Sequence, residues 1–86
     1  MEIMIEGFSM SVTEYEIKRL FRRHGSVKQV KKEKVRNRAV VTMPYRDQGE
    51  KAIKELDGTE FFGRVIRVTS FYSPGKGSKD KLQRQK

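Results

Sequence analysis

Apolar residues recur in this chain with two different spacings, and the order of the two spacings restricts the fold more than any other feature. Near the start of the chain, Ile3 and Ile5 alternate with Glu2, Met4 and Glu6, which is the period of a strand with one buried face. The same alternation places Ala39, Val41 and Met43 on one side of a later strand. Between these two strands the period changes to that of a helix.

The first helical segment carries signals for both of its ends. Thr13 and Glu16 have the spacing of a capping box, in which each side chain accepts a hydrogen bond from the other residue's amide. Ile17 and Phe21 lie four residues apart in one apolar stripe, which predicts that both are core residues. Gly25 is predicted to end the helix in the left-handed conformation.

A second helical segment follows the later strand. Asp47, together with Glu50, is predicted to cap its start. Ala52 and Leu56 lie on its apolar side, and Gly58 is predicted to end it.

Two further strands complete the order of elements. The sequence SVKQVKKEK predicts the second strand, and RVIRVTSF predicts the fourth, with Ile66 and Val68 inward. The alternate residues of the fourth strand are expected on its outer side: Val65, Arg67, Thr69 and Phe71. The resulting order βαββαβ is that of an α+β, ferredoxin-like fold. Two helices then cover one face of a four-stranded antiparallel sheet and leave the other face open.

The charge of the chain restricts the class of partner. Its 86 residues include 20 lysines and arginines against 11 acidic residues, which gives a formal net charge of +9. This excess favours a polyanion, either nucleic acid or an anionic membrane. Neither predicted helix combines a strongly basic face with exposed bulky apolar residues, as a membrane-binding helix does. The sequence therefore favours nucleic acid over a membrane.

No set of residues predicts catalysis or metal binding. The chain has no cysteine and one histidine, and its pattern shows neither a Ser-His-Asp set nor a pair of catalytic carboxylates. We therefore expect a monomer without enzymatic activity, cofactor or metal, located in the cytoplasm. Residues 1–72 are predicted to form one folded domain, and residues 73–86 a basic, disordered tail.

Four stretches together resemble the RNA recognition motif family, from Glu2 to Phe71. They are IMIEGF in the first strand, TEYEIKRLFRRHGSV in the first helix and its exit, RNRAVVTM in the third strand, and EKAIKELDGTEFFGRVIRV from the second helix to the fourth strand. The resemblance implies the fold predicted above. It also implies RNA binding on the open sheet face, where members of the family stack bases on three exposed aromatic residues.

The three aromatic positions of the family are replaced in this chain by Met4, Arg38 and Val40, and Asn37 replaces a glycine. Three interpretations of Arg38 are open. Its planar guanidinium group stacks on a base, or the sheet face contacts a protein instead of RNA, or the arginine only limits aggregation of an exposed strand. We favour the first interpretation, in which Met4 and Val40 add weaker apolar contacts to bases.

Other residues are expected to supply the affinity that aromatic rings would have given. A basic cluster from the second strand to the start of the third is predicted to follow an RNA backbone. It contains Lys28, Lys31, Lys32, Lys34, Arg36 and Arg38. Phe71 and Tyr72 are candidate stacking rings near Arg67, although one of them could instead cover Met4 and Val40.

These residues lead to one functional prediction and one alternative. We predict binding of single-stranded RNA, or single-stranded DNA, with weak sequence selectivity, through the open sheet face, the basic hairpin and the C-terminal segment. The alternative is a protein-interaction module whose sheet no longer binds RNA. The arginines of the first helix, Arg19, Arg22 and Arg23, are interpreted as a solvated surface. The candidate RNA-binding residues are Met4, Lys28, Lys31, Lys34, Arg36, Arg38, Val40, Arg67, Phe71 and Tyr72.

Overall fold

A computed structural model describes residues 1–34 and 37–71 of the chain. Within these residues the elements follow the predicted order, with a short hairpin added before the last strand. They are β1 (Glu2–Glu6), α1 (Glu14–Arg22), β2 (Gln29–Lys32), β3 (Arg38–Thr42), α2 (Arg46–Leu56), β4 (Glu60–Phe61), β5 (Arg64–Val65) and β6 (Arg67–Ser70). The predicted tail, residues 73–86, lies outside the described residues.

Four of the strands form one antiparallel sheet in the order β2-β3-β1-β6. β1 pairs with both β3 and β6, so Met4 has Val40 on one side and Thr69 on the other. β2 lies at an edge, which places the β2–β3 hairpin at one side of the sheet. The sheet and the two helices confirm the predicted α+β, ferredoxin-like fold.

One face of the sheet packs against the helices. Its inward side chains are completely or almost completely buried: Ile3, Ile5, Ala39, Val41 and Val68. Ile17 and Phe21 of α1 and Ala52 of α2 are also fully buried and belong to the same core. The alternation predicted from the sequence is therefore confirmed, and the opposite face of the sheet is left for other contacts.

The start of α1 is as predicted, but its end is not. The amide of Glu16 donates to Thr13 Oγ1 at 3.2 Å, and the amide of Thr13 donates to Glu16 Oε1 at 2.9 Å, which completes the capping box. The helix ends at Arg22, and Gly25 has a φ of 157° instead of the expected left-handed value. Glycine is favoured there by this positive φ and by lack of space, because a Cβ would collide with the side chain of Gln48.

The predicted cap of α2 is wrong. The N-cap position is occupied by Tyr45, which makes no side-chain capping hydrogen bond, and Asp47 lies inside the first turn. Arg46 Nε donates instead to Glu50 Oε2 at 3.1 Å, one turn away. Asp47 still favours the helix, because its negative charge lies near the positive end of the helix dipole. An acidic residue in the first turn thus gives nearly the same sequence signal as a cap.

The fourth predicted strand is divided in two. Its first part, β5, pairs with β4 in a separate two-stranded ribbon, and only β6 continues the main sheet. The division occurs at Ile66, whose amide donates to the Thr59 carbonyl at 2.9 Å. The prediction that Val65 lies on the open sheet face is therefore wrong: it lies in the ribbon and is 67% exposed. Phe62 and Gly63 form the turn of the ribbon, both with positive φ.

Candidate nucleic-acid interface

The strand register arranges the side chains of the open sheet face, the face opposite the helices, in rows that cross the sheet. The middle row contains Lys31, Val40, Met4 and Thr69, which are successive partners across β2, β3, β1 and β6. Lys31 and Thr69 at the ends are exposed, and Met4 and Val40 at the centre are half-buried. Side chains of directly paired residues lie close enough to interact. The centre of the face is therefore a small apolar pair between a lysine and a threonine.

A second row lies toward the end of β6. Gln29, Thr42 and Glu2 are successive partners in it. The amide of Phe71 donates to the Glu2 carbonyl at 2.8 Å, which holds Phe71 beside β1 just after the last residue of β6. Phe71 is half-buried at this place, where the sequence predicted a candidate stacking ring. Tyr72, the other predicted ring, lies outside the described residues.

The third row alternates in charge, and we call it the charged row. Glu6 of β1 is paired with Arg38 on one side and Arg67 on the other. The amide of Glu33 donates to the Arg38 carbonyl at 2.9 Å, which places Glu33 at the β2 end of the row. Arg38 Nε donates to Glu33 Oε1 at 3.0 Å, and Arg38 Nη1 lies 3.5 Å from Glu6 Oε2.

The guanidinium group of Arg38 is stabilised in its charged form by these carboxylates. The hydrogen bond and the negative charge of Glu33 raise the pKa of Arg38, partial burial opposes the rise, and Glu6 adds to it. Arg38 therefore carries a positive charge, as arginine does in proteins, but it has two acidic neighbours.

The positive charge predicted for the open sheet face is balanced. The three rows hold equal numbers of acidic and basic side chains: Glu2, Glu6, Glu33, Lys31, Arg38 and Arg67. The charge of Arg38, which we expected to meet RNA, is paired in the free protein with Glu6 and Glu33. These two carboxylates were missed by the sequence interpretation. The alternation in β1 places Glu6 on the same side as Met4, which could have indicated its position on the open sheet face but not its contact with Arg38.

The basic residues of the β2–β3 hairpin divide into two groups. The exposed group is Lys28, Lys31 and Lys34. Among residues 1–34 and 37–71, none of the three takes part in an ion pair. Lys32 differs, because its register partner is the buried Ala39 and its Nζ donates to the Val12 carbonyl at 2.7 Å. The Lys32 side chain therefore lies on the helix side of the sheet, apart from the three exposed lysines. Arg36 lies outside the described residues.

Asn37 connects the charged row to the loop after β1. Its Nδ2 donates to the Phe8 carbonyl at 2.9 Å, and its carbonyl accepts from the amide of Gly7 at 2.9 Å. Arg64 Nε donates to the Gly7 carbonyl at 3.0 Å, so the ribbon is attached to the same loop. The replacement of glycine by Asn37 thus has a structural role, which the sequence alone did not indicate.

Metal-binding and membrane-spanning features are absent from the described part of the chain. Residues 1–34 and 37–71 contain no group of three His, Cys, Asp or Glu side chains arranged as a metal site. Neither helix in these ranges has the length and apolar character needed to cross a membrane. The candidate interface consists of the three rows and the exposed lysines of the hairpin.

Comparisons with known proteins agree with this fold. A sequence profile of the RNA recognition motif matches residues 3–67. A protein of Nostoc sp. strain PCC 7120, named "Putative RNA-binding protein RbpD", is 36% identical over 74 residues, and the match covers 79% of each chain. The RRM domain of S. pombe Puf1 aligns with a TM-score of 0.77 at 17% identity, covering 85% of this chain and 100% of that one. The RRM3 domain of Mip6 aligns with a TM-score of 0.79 at 24% identity, covering 81% and 91%. This chain belongs to the RNA recognition motif family.

Proposed function

We propose that this protein binds single-stranded RNA across the open sheet face, without enzymatic activity. The observation that carries the proposal is the middle row, in which Met4 and Val40 form an apolar centre on the face opposite the helices. Membership of the RNA recognition motif family supports RNA as the ligand. The name of the Nostoc relative points to the same ligand.

Bases rest on Met4 and Val40 in this proposal, and phosphates contact the lysines around them. Aromatic stacking contributes about 1–3 kcal/mol per base, and we expect the two aliphatic side chains to contribute less. Lys28, Lys31 and Lys34, which are exposed, therefore supply a larger share of the affinity through phosphate contacts. Such contacts do not distinguish the bases. We expect weak sequence selectivity and binding of single-stranded DNA as well.

The end of β6 extends the proposed site. Arg67 is exposed at one end of the charged row, and Phe71 follows beside β1. We propose that Phe71 covers a bound nucleotide and that Arg67 attracts its phosphate. Tyr72 and Arg36 lie outside the described residues, and we propose them as further RNA contacts from the sequence alone.

Arg38 keeps a surface for a base although its charge is balanced. The N–H groups of a guanidinium lie in the plane of the group, so the bonds to Glu33 and Glu6 do not occupy its faces. We propose that a base stacks on this plane. The two carboxylates hold the plane in position, but they also repel nearby phosphates.

Glu33→Gln is expected to strengthen RNA binding by roughly threefold. The substitution preserves the shape of the side chain and an oxygen that accepts from Arg38 Nε, and it removes one negative charge from the charged row. The measurement is the dissociation constant for a short single-stranded RNA, by fluorescence anisotropy at low salt. Glu55→Gln is the matched control, because it removes the same charge from an exposed position on α2.

The dissociation constants of Glu33→Gln and Glu55→Gln together show whether RNA lies near Glu33. We expect the dissociation constant of Glu55→Gln to remain within experimental error of the wild type, because α2 lies on the other side of the sheet. If both variants change the affinity equally, the effect comes only from net charge, and RNA does not lie near Glu33.

Protein binding by the same face is the second candidate function. The balanced charge of the three rows favours it, because paired charges around an apolar centre also suit a protein partner. A protein partner would cover Met4 and Val40 and leave no place for RNA there. An NMR titration with RNA separates the two functions, because RNA shifts the signals of the middle row only if RNA binds there.

A further inference from the structure

The exposed side of α1 carries a dense group of cations. We call it the α1 basic face, and it consists of Tyr15, Lys18, Arg19, Arg22 and Arg23, which line a shallow depression. The last four follow Tyr15 by three, four, seven and eight residues, which places them on one side of a helix. Tyr15 and the three arginines are exposed, and Lys18 is half-buried.

These cations have no acidic partner among residues 1–34 and 37–71. Two acidic residues of α1 are engaged elsewhere. Glu14 Oε2 accepts from the amide of Lys32 at 2.8 Å, and Glu16 Oε1 accepts from the amide of Thr13 at 2.9 Å. The helix dipole favours cations near a helix C-terminus. The dipole accounts for the position of the cations but not for the lack of acidic neighbours.

The other helix has a different distribution of charge. The exposed charged residues of α2 are three basic and three acidic ones: Arg46, Lys51, Lys54, Asp47, Glu50 and Glu55. Arg46 and Glu50 form an ion pair at 3.1 Å. On α1, by contrast, Lys18, Arg19, Arg22 and Arg23 follow one another with no acidic residue between them. A surface of this kind attracts polyanions.

Tyr15 gives the α1 basic face the chemistry of a nucleic-acid site. Tyr15 is 66% exposed, and the guanidinium carbon of Arg19 lies 5.9 Å from the centre of its ring. An exposed ring offers a stacking surface for a base, and guanidinium groups form paired hydrogen bonds with phosphate oxygens. An acidic peptide would use the arginines but would gain little from the ring.

We infer that the α1 basic face binds the sugar-phosphate backbone of a second RNA segment. α1 packs on the inward side of the sheet through Ile17 and Phe21, so its outer side is separated from the open sheet face by the core. One protein molecule then contacts RNA on two sides. It connects either two segments of the same RNA strand or two separate strands. The choice of RNA as the ligand rests on the proposed function, but the α1 basic face does not require RNA on the sheet.

The test follows the NMR signals of the Tyr15 ring while a short oligouridylate is added to the full chain. The α1 variant combines Arg22→Gln with Arg23→Gln, and the control combines Lys51→Gln with Lys54→Gln, which removes the same charge from α2. We expect RNA to shift the Tyr15 signals with the same midpoint in the wild type and the control. In the α1 variant the midpoint concentration rises severalfold. The steepness with which log affinity falls against log salt decreases by about 1.4, or about 0.7 for each of the two lost phosphate contacts.

Two results would overturn the inference about the α1 basic face. The first is that RNA does not shift the Tyr15 signals, or that the midpoint concentration is the same in the α1 variant as in the α2 control. The second is that polyglutamate shifts them and RNA does not, because the partner would then be an acidic protein segment. The signals of Met4 and Val40 in the same spectra report on the open sheet face. A failure of the proposed function is therefore distinguished from a failure at α1.

Discussion

Phe21→Ala is expected to lower the free energy of unfolding by about 3–5 kcal/mol. Phe21 is completely buried and belongs to the core together with Phe8 and Ile17. Truncation removes the favourable burial of the ring and leaves a cavity that a closely packed core does not refill. Because single domains have total stabilities of about 5–15 kcal/mol, this loss is a large part of the total.

Denaturation with urea, followed by circular dichroism, measures this effect. Tyr15→Ala is the matched control, because Tyr15 is an aromatic residue of the same helix with an exposed side chain. Its removal should cost less than about 1 kcal/mol, chiefly through the lost contact with Arg19. Equal losses for the two variants would contradict the position of Phe21 in the core.

Val40→Phe is expected to strengthen RNA binding by about 1–2 kcal/mol, or roughly 5- to 30-fold in Kd. Val40 is half-buried beside Met4 on the open sheet face, at a position where the resemblance to the family implies an aromatic ring. A phenyl ring there offers bases a stacking surface that valine lacks. The substitution lies on the outer side of the sheet, so the core is unchanged.

Val65→Phe is the matched control for this experiment. It introduces the same ring at an exposed position of the β4–β5 ribbon, which is not part of the main sheet. We expect its Kd to equal that of the wild type when both are measured at one fixed salt concentration, because phosphate contacts make the affinity salt-dependent. An unchanged or weaker affinity for Val40→Phe would mean that bases do not rest on this part of the sheet.

Features that depend on neighbours a few residues apart could be predicted from the sequence. The alternation of Ile3 and Ile5 identified the inward side of β1 correctly, because strand side chains alternate strictly between two faces. The capping box of Thr13 and Glu16 is complete within four residues and was also predicted correctly. The order of such local elements was sufficient to identify the fold.

Features that depend on distant neighbours could not be predicted. Arg38 meets Glu6, 32 residues away in sequence, only because β1 and β3 pair in one particular register. Lys32 was included in the predicted basic cluster, because charge alone does not reveal that its Nζ reaches the Val12 carbonyl. The division of the last strand at Ile66 likewise depends on a hydrogen bond to the loop after α2.

The central claim, that RNA lies across the open sheet face, is tested most directly by the backbone amide shifts during an NMR titration with short single-stranded RNA. We expect the four residues of the middle row, Lys31, Val40, Met4 and Thr69, to shift together and to saturate with one midpoint. Shifts confined to the helices and the β4–β5 ribbon, with the middle row unchanged at saturating RNA, would contradict the claim.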